Sequence, residues 1–433
     1  MRSMKSGMTT LRSGMDDKAK TKNPGYSPGL EGVIAGESAL CEVDEGAAGL
    51  RYRGYAVGDL AEQATFEEVS YLLLFGKLPT RKELDDFTAQ LHTQWPLPGP
   101  VEAFIGVVPP SAHPMDILRT GVSLLGMTDP DATGKGGVLA PPGREGANVD
   151  SREANLRKSV RLLAQVPILI ANAHRLAHAK RQVQPSPERS FAENLLYLLT
   201  DHDPLDTHCN RKSNGSPTEQ RVPHEQTKAM ARALDVSLIL YAEHEFNAST
   251  FAARVAASTL TDLHAAVTAA IAALKGPLHG GANEAVAAML LEIKSRDRAE
   301  RWVRDALAQK RRVMGFGHRV LRKGDARSAI IQRHAEALSR ACGDTRWYDI
   351  ATIVDRIMQQ EKGLFPNLDF YTAVAYLLIG IPRDLYTPVF VCSRIAGWCA
   401  HVIEQQDHNR LIRPRAAYVG PPPQAYVPLE RRT

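Results

Sequence analysis

The chain has 433 residues, of which 44% are hydrophobic and 23% are charged, with a formal net charge of +5. This composition is typical of a soluble globular protein, and no run approaches the roughly 20 apolar residues that span a bilayer. Cationic side chains are spread among acidic ones, which argues against a nucleic-acid-binding stripe. Because a single core rarely grows beyond roughly 250–300 residues, the length predicts two domains.

The five cysteines are widely spaced and form no CxxC pair, which disfavours a disulfide framework and a zinc ribbon. A reducing compartment is therefore expected, namely the cytoplasm, with the mitochondrial matrix as the alternative. The first 15 residues contain Arg2, Lys5 and Arg12 but no acid. That composition is compatible with a transit peptide or with an unstructured start. We predict a flexible segment over residues 1–28.

After this segment the pattern changes from turns to helices. Glycines and short apolar runs over residues 29–56 predict small strands and turns. From Val57 onward apolar residues recur at helical spacing, and Thr65 and Thr80, each followed by acids, predict helix starts. Further helices are predicted at about 114–126, 152–178, 190–200, 226–243, 249–273, 281–294, 299–311, 326–340, 346–361, 369–379 and 387–405. The sequence therefore predicts a mainly α protein with too many helices for a simple bundle.

Two segments interrupt the helical pattern. Residues 129–150 are rich in glycine and proline, and residues 201–225 are polar and rich in turn formers. Loops of this length are uncommon and are usually functional or disordered. We expect surface loops. The second one directly precedes the helix that leads to His244, so it could also affect domain closure or contacts between subunits.

His279 lies in the segment LKGPLHGGANEAV, where Pro277 and the pair Gly280–Gly281 predict a sharp turn that opens into a helix. Glycine lets backbone approach a ligand closely. A helix N-terminus nearby would disfavour protonation of the histidine. The neutral ring could then donate its N–H to an enolate oxygen. A purely structural turn histidine is the alternative.

A second glycine-rich segment, RRVMGFGHRVLRKGDAR, places Gly315 and Gly317 just before His318. Its cationic residues and backbone N–H groups could cradle phosphates. The segment lacks both the GxGxxG of a dinucleotide fold and the GxxxxGK[ST] of a P-loop.

His244 lies between two acids at the end of another predicted helix, and Asn247 and Ser249 are possible caps of the next one. The alternative for His244 is a core or capping histidine.

Other chemistries are less well supported. His244, His279 and His318 could ligate a metal, but their motifs contain no HxxxH or HxH pair. We therefore predict no metal site. Serine hydrolysis lacks its GxSxG elbow. Asp369 begins an apolar helix, where an aspartate is most often an N-cap. Arg394 lies inside an apolar helix, and a buried arginine needs an anion. That anion could be a ligand carboxylate or an internal acid.

Together these segments resemble citrate synthases. HEFNAST, GPLHGGANE, GFGHRV, PNLDF, SRIAGW and IRP occur in that family's order, and the resemblance runs from about Gly32 to Leu429. It implies a multi-helical fold with a cleft between a large domain, residues 29–275 and 376–433, and a small domain, residues 276–375. It also implies a homodimer, no tightly bound cofactor, and a CoA thioester as substrate.

The resemblance implies a role for each matching residue. Asp369 would remove the α-proton of the acyl group, His279 would hydrogen-bond the thioester carbonyl, and His318 would donate to the oxaloacetate carbonyl. Arg413 would reach the neighbouring subunit's site. Oxaloacetate would be bound by His244, Arg327, Arg394 and Arg413, with Arg81 as a further candidate, and CoA by Arg312, Val313, Met314, Gly315, Phe316, Arg322 and Lys323.

Within the family, the strings AEHEFNASTF, HPMDILRTGVSLLG and NRLIRPRAAYVGP are most similar to 2-methylcitrate synthases. This similarity implies condensation of propionyl-CoA with oxaloacetate and water in propionate catabolism, with some acetyl-CoA activity. The alternative is the acetyl-CoA-using citrate synthase of the tricarboxylic acid cycle. A non-catalytic CoA-binding protein is the alternative of another class. Such a protein should have lost one of His279, His318 or Asp369, and the sequence retains all three.

Overall fold

The computed structural model describes residues 26–44, 49–132, 151–205, 222–317 and 324–432. Two units can be distinguished: residues 38–412, and a unit formed by the described terminal residues 26–37 and 413–432. Regular structure in the described part of the terminal unit is limited to single 3₁₀ turns at Pro28–Leu30 and Leu429–Arg431. The division into large and small domains stays a prediction. Most of the predicted flexible segment and of both predicted insertions lies outside the described residues.

A small antiparallel sheet begins the larger unit, with strands β1 (Cys41–Val43), β2 (Leu50–Tyr52) and β3 (Tyr55–Ala56) in that order. Cys41 pairs with Tyr52 across the first two strands. The Tyr52 side chain is fully buried, and its hydroxyl donates to the Glu243 carbonyl at 3.0 Å. The strands predicted within residues 29–56 are confirmed, and the sheet is anchored at the residue that precedes His244.

The remainder of the described chain is mainly helical, which confirms the predicted fold class. The helices are α1 (Val57–Gln63), α2 (Phe66–Phe75), α3 (Arg81–Thr93), α4 (Gly99–Val107), α5 (Pro114–Thr128), α6 (Arg152–Ala177), α7 (Phe191–Thr200), α8 (His224–Tyr241), α9 (Ala248–Ser258), α10 (Leu263–Leu274), α11 (Ala282–Ile293), α12 (Arg296–Ala308), α13 (Ala326–Cys342), α14 (Arg346–Lys362), α15 (Leu368–Ile379) and α16 (Tyr386–Asp407).

The predicted starts of α2 and α3 are confirmed by their hydrogen bonds. The Thr65 hydroxyl accepts from the Glu68 N–H at 3.3 Å, while the Glu68 carboxylate accepts from the Thr65 N–H at 2.8 Å. Thr80 and Glu83 repeat this arrangement at the start of α3. Each pair satisfies two backbone donors that a helix terminus otherwise leaves unpaired. Such local pairs explain why these boundaries could be predicted from the sequence.

Two helix predictions need correction. The single helix predicted over residues 249–273 is wrong, because α9 ends at Ser258 and α10 begins at Leu263. Leu260 adopts a positive φ of 65°, and Asp262 then caps α10 by accepting the Ala265 N–H at 3.0 Å. Helix α4 was not predicted, since the glycine and prolines of PLPGP indicate a turn. A proline at the start of a helix is nevertheless well tolerated.

Helix α16 runs through the core. Nearly all of its side chains are buried, including Trp398 and Arg394, and it packs against α6, α8 and α9. Helix α15 packs against α8 and α13, so its first turn meets the ends of both. None of the helices in the described ranges has the length and apolar character needed to cross a membrane.

Candidate active site

His279 lies in the predicted turn between α10 and α11. Its backbone N–H donates to the Gly276 carbonyl at 2.9 Å, and the next N–H, from Gly280, donates to the Leu274 carbonyl at 3.0 Å. The Ser249 backbone N–H donates to Nε2 of the ring at 3.3 Å. Because a backbone N–H can only donate, Nε2 accepts, and the proton of the neutral ring lies on Nδ1.

The ring of His279 is neutral near pH 7. Burial and, to a smaller extent, the Arg394 charge lower its pKa to about 4. The neutral imidazole expected from the sequence agrees with this direction. The Ser249 hydroxyl lies 2.8 Å from Nε2 and accepts the Trp398 indole N–H at 3.2 Å. Ser249 at the start of α9 and Trp398 in the middle of α16 thus fix the ring of His279.

Asp369 occupies the first turn of α15, yet it is not the N-cap. That position belongs to Asn367, whose side chain accepts the Asp369 N–H at 3.1 Å. The capping alternative for Asp369 is therefore wrong. Its Oδ1 instead accepts the Tyr241 hydroxyl at 2.5 Å. Burial raises the pKa of Asp369 to about 6, and the hydrogen bond from Tyr241 opposes part of that increase. The carboxylate is therefore a stronger base than an ordinary aspartate.

Two aromatic residues that the sequence analysis did not single out connect these groups. The Tyr241 ring lies 4.4 Å from the Phe390 ring, and Phe390 lies 6.2 Å from the ring of His279, between centroids. Tyr241 is three residues before His244 and directly precedes the string AEHEFNASTF. Its hydroxyl also accepts the Asn283 side-chain N–H at 3.1 Å. The sequence gives no sign of these contacts, since they join α8, α11, α15 and α16.

Arg394 is 2% exposed, and its Nε donates to the Tyr241 carbonyl at 2.5 Å. Its guanidinium stacks over the Phe390 ring at 4.7 Å. No acid within the described ranges forms an ion pair with it, and its buried Nη1 has no hydrogen-bond partner there. The pKa of Arg394 is lowered by burial. The negative charge of Glu243 opposes this decrease, so the internal acid acts on Arg394 at a distance and not through an ion pair. Nη1 remains available to a ligand anion.

Arg327 is buried but paired. Asp325 accepts its Nε at 3.0 Å and its Nη2 at 2.8 Å, a bidentate contact. The same carboxylate accepts the Leu368 N–H at 3.2 Å, which ties the start of α13 to the start of α15. Asp325 raises the pKa of Arg327 above its usual range. A ligand carboxylate would therefore meet the third nitrogen, Nη1.

His244 is buried in the link between α8 and α9. Its neighbour Glu243 accepts the ring Nε2–H of His401 at 2.8 Å. Arg254 lies 3.0 Å from Nδ1 of His401 and donates to Glu404 at 2.7 Å. These four residues, of which Glu404 is only partly buried, form a chain of alternating donors and acceptors that fixes the backbone beside His244. The sequence analysis did not identify this chain.

The residues proposed to bind CoA lie beside the segment that leads into Asp369. The Gly315 carbonyl accepts the Asn367 N–H at 2.9 Å, and the Gly317 N–H donates to the Phe365 carbonyl at 3.1 Å. Gly315 has a positive φ of 84°, and a β-carbon there would press against Phe370 and Val286. Glycine is therefore required at this position. Within the same run Arg312 is exposed, Val313 is buried, and Met314 and Phe316 are partly buried.

The remaining candidates fall into three cases. His318, Arg322 and Lys323 lie outside the described residues. Arg81 is an exposed residue at the start of α3, and within the described ranges it forms no hydrogen bond or ion pair with another candidate. Arg413 is exposed and belongs to the terminal unit, which is described by itself. The group with mutual contacts therefore consists of His279, Asp369, Arg394, Arg327 and their supporting residues.

Comparison with known proteins gives this site a context. A solved ternary complex of citrate synthase with carboxymethyl coenzyme A and oxaloacetate, from the archaeon Thermoplasma acidophilum, has a TM-score of 0.79 and 33% identity. The alignment covers 94% of this chain and 99% of that one. The fold is thus shared with solved citrate synthases.

The sequence comparisons agree with the structural one in pointing to citrate synthases. The family model described as "Citrate synthase, C-terminal domain" matches residues 29–415. Citrate synthase 2 of Bacillus subtilis is 42% identical over 405 residues, which cover 93% of this chain and 98% of that protein. The 2-methylcitrate synthase of Shewanella oneidensis is also 42% identical over 405 residues, or 93% of this chain and 97% of that protein. The chain belongs to the citrate synthase family.

Proposed function

We propose that this chain is an acyl-CoA:oxaloacetate C-acyltransferase that converts propionyl-CoA, oxaloacetate and water to 2-methylcitrate and CoA. The observation that carries the proposal is the pair formed by Asp369 and His279. One is a carboxylate with a raised pKa, and the other is a neutral imidazole with its proton on Nδ1. The two are linked through the rings of Tyr241 and Phe390.

The first step is removal of the α-proton of the acyl group by Asp369. The α-carbon of a thioester is a weak acid, so the base alone is insufficient. The enolate oxygen that forms receives a hydrogen bond from Nδ1–H of His279, which stays neutral and keeps its proton. Because the rings of Tyr241 and Phe390 help to exclude water, the interaction with the enolate is stronger than it would be in solvent.

The enolate carbon then attacks the keto carbonyl of oxaloacetate. A new carbon–carbon bond forms, and His318 donates a proton to the carbonyl oxygen. Water hydrolyses the resulting thioester, which releases CoA as the thiol and makes the overall condensation irreversible. Arg394 and Arg327, with His244, bind the oxaloacetate dicarboxylate. The buried Nη1 of Arg394, which has no hydrogen-bond partner among the described residues, supports this assignment.

The choice of acyl group rests on the resemblance of the sequence to 2-methylcitrate synthases. The equal identity to a relative named citrate synthase 2 favours a second candidate, in which acetyl-CoA is the substrate and citrate the product. The two substrates differ by one methylene, which is worth only about 1–3 kcal/mol in an apolar pocket. We therefore expect activity with both acyl-CoAs and a preference for propionyl-CoA.

We further propose that the protein is a cytoplasmic homodimer. Arg413 then completes the oxaloacetate site of the neighbouring subunit, as the family resemblance implies. The exposed tyrosine and valine side chains of residues 418–427 support the dimer, since apolar groups of this size are usually covered by a partner.

The test is release of free CoA thiol by the purified protein. With oxaloacetate and propionyl-CoA the thiol should appear, and without oxaloacetate it should not. The Asp369→Asn variant should retain oxaloacetate binding by calorimetry while turnover falls by about 10²–10⁴-fold. If no short acyl-CoA releases thiol from the wild-type protein, the non-catalytic alternative would replace this proposal.

A further inference from the structure

The Asp369 carboxylate ends a short hydrogen-bond chain that the proposed reaction does not by itself explain. The Asn283 side-chain N–H donates to the Tyr241 hydroxyl oxygen at 3.1 Å, and the Tyr241 hydroxyl lies 2.5 Å from Oδ1 of Asp369. An ionised carboxylate carries no proton, so the phenol must be the donor. The chain therefore runs from Asn283 through Tyr241 to Asp369.

Packing fixes the middle member of this chain. Tyr241 is the last residue of α8 and is 2% exposed, its ring packs on Phe390, and its carbonyl accepts Nε of Arg394. Asn283 is also 2% exposed and lies in the first turn of α11. The hydroxyl therefore cannot turn away from Asp369 without moving one of these helices.

The chain also distinguishes the two oxygens of Asp369. Oδ1 accepts the Tyr241 proton, whereas Oδ2 accepts no hydrogen bond from the described residues. An oxygen that already accepts a short hydrogen bond from a phenol is the less basic of the two. The proton of a substrate would therefore go to Oδ2.

We propose that Tyr241, held by Asn283, is the positioning residue of Asp369: it fixes Oδ1 and leaves Oδ2 to take the substrate proton. This inference rests on the proposed function, in which Asp369 is the base. It assigns Tyr241 a role through Asp369 rather than a direct contact with the reacting atoms.

Electrostatics adds a second consequence. Burial raises the pKa of Asp369, and the Tyr241 hydrogen bond is the largest opposing influence. Three other charged groups face the carboxyl from neighbouring helices. Arg327 on α13 and Arg394 on α16 lower its pKa, while Asp325 before α13 raises it. Loss of the phenol hydroxyl should therefore raise the pKa of Asp369 further and reduce its ionised fraction at neutral pH.

The test is Tyr241→Phe, which keeps the ring on Phe390 and removes only the hydroxyl. We expect the acid limb of kcat/KM to move up by about one pH unit, because a hydrogen bond to the charged form is lost. At the optimal pH we expect kcat to fall about tenfold through looser positioning. The KM for oxaloacetate should stay within about twofold, because a role confined to the base leaves ground-state binding intact.

Two further variants make the result specific. Tyr376→Phe is the matched control, since Tyr376 is a buried phenol on the same helix as Asp369 but hydrogen-bonds Ser237 at 3.0 Å. Its pH profile should not move. Asn283→Leu removes the other end of the chain and should move the acid limb in the same direction as Tyr241→Phe, but less. It also supplies the test if Tyr241→Phe does not fold.

A readout independent of turnover separates this inference from the proposed function. Isotope-edited infrared titration of aspartate-labelled protein, assigned with Asp369→Asn, measures the pKa of Asp369 directly. A higher pKa in Tyr241→Phe supports the positioning role even if the wild-type protein releases no thiol, which would count against the proposed function alone. An unchanged Asp369 pKa and an unchanged acid limb in both Tyr241→Phe and Asn283→Leu would overturn the inference.

Discussion

Burial changes the pKa of the Asp369 carboxyl and of the His279 ring in opposite directions, to about 6 and to about 4. Both shifts favour the neutral form, because removal from water penalises charge. For His279 the result is a neutral N–H donor at all pH values above about 4. For Asp369 the result is a base that is mostly ionised at pH 7 but loses its charge in mildly acidic solution.

This difference predicts the pH dependence of activity. Since Asp369 acts deprotonated, kcat/KM should rise with pH through an acid limb near pH 6 and fall about tenfold per pH unit below it. His279 should contribute nothing to that limb, because its ring stays neutral until about pH 4. The measurement is kcat/KM for the acyl-CoA over a pH range of about 4.5 to 8. This range includes the pKa of Asp369 and stays above that of His279. A limb near the ordinary aspartate pKa of about 3.9 would contradict this account.

Arg394 gives a second prediction at the residue scale. A buried guanidinium without an acidic partner in the described part of the chain stabilises the protein little, so Arg394→Met should change the free energy of unfolding by less than about 2 kcal/mol. Oxaloacetate should no longer raise the melting temperature of this variant, because the ligand loses its cation.

Arg254→Met is the matched comparison for Arg394→Met. Arg254 is equally buried but pairs with Glu404 and contacts His401, so its loss should cost about 3–5 kcal/mol. Thermal unfolding of both variants with and without oxaloacetate measures the difference. Normal stabilisation of Arg394→Met by oxaloacetate would show that Arg394 does not bind this ligand.

At the scale of elements, the close approach of α16 to the end of α8 depends on Gly397. A β-carbon at this position would overlap the Glu243 carboxylate and the Ala242 carbonyl. Gly397→Ala should therefore destabilise the protein by roughly 1–3 kcal/mol, as overpacking does, and should raise the KM for oxaloacetate because His244 follows Glu243.

Gly106→Ala in α4 is the control for Gly397→Ala. Apart from its own helix backbone and chain neighbours, no described atom lies within 4 Å of the β-carbon it would add. Better helix propensity should therefore stabilise the protein by roughly 0.5–1 kcal/mol. Denaturant unfolding compares the two variants. Equal stabilisation by both substitutions would mean that α16 has room for a β-carbon beside Glu243.

The elements also show what the sequence could reveal. Thr65 with Glu68, and Thr80 with Glu83, are local pairs, so α2 and α3 were predicted with their starts. The hydrogen bond from Tyr241 to Asp369 joins residues 128 positions apart. It depends on how α8 packs on α15, and no local pattern encodes that packing. The sequence therefore identified Asp369 but not the residue that holds it.

At the scale of the whole molecule, the family order of motifs identified most of the candidate residues without any structure. Mutual contacts then link Asp369, Arg394 and Arg327 to one another through Tyr241 and Asp325. Arg413 lies in the terminal unit, and its proposed contribution to the site of a second subunit rests on the family resemblance.

A mixed-dimer experiment tests that contribution. Arg413→Ala and Asp369→Asn should each be nearly inactive. If Arg413 acts across the subunit interface, each mixed dimer contains one fully intact site. Random re-association of equal amounts should then restore about a quarter of wild-type activity. Absence of recovery, with mixed dimers verified by native mass spectrometry, would mean that Arg413 acts within its own subunit. An active Arg413→Ala variant would mean that Arg413 is not needed.

The most direct test of the proposed reaction is a competition. The purified protein is given limiting oxaloacetate with equal concentrations of propionyl-CoA and acetyl-CoA, and the products are quantified by mass spectrometry. The product ratio equals the ratio of the two kcat/KM values, independent of the amount of active enzyme. We predict that 2-methylcitrate exceeds citrate. An excess of citrate would assign the chain to acetyl-CoA-dependent citrate synthesis, and the absence of both products would contradict the proposed condensation itself.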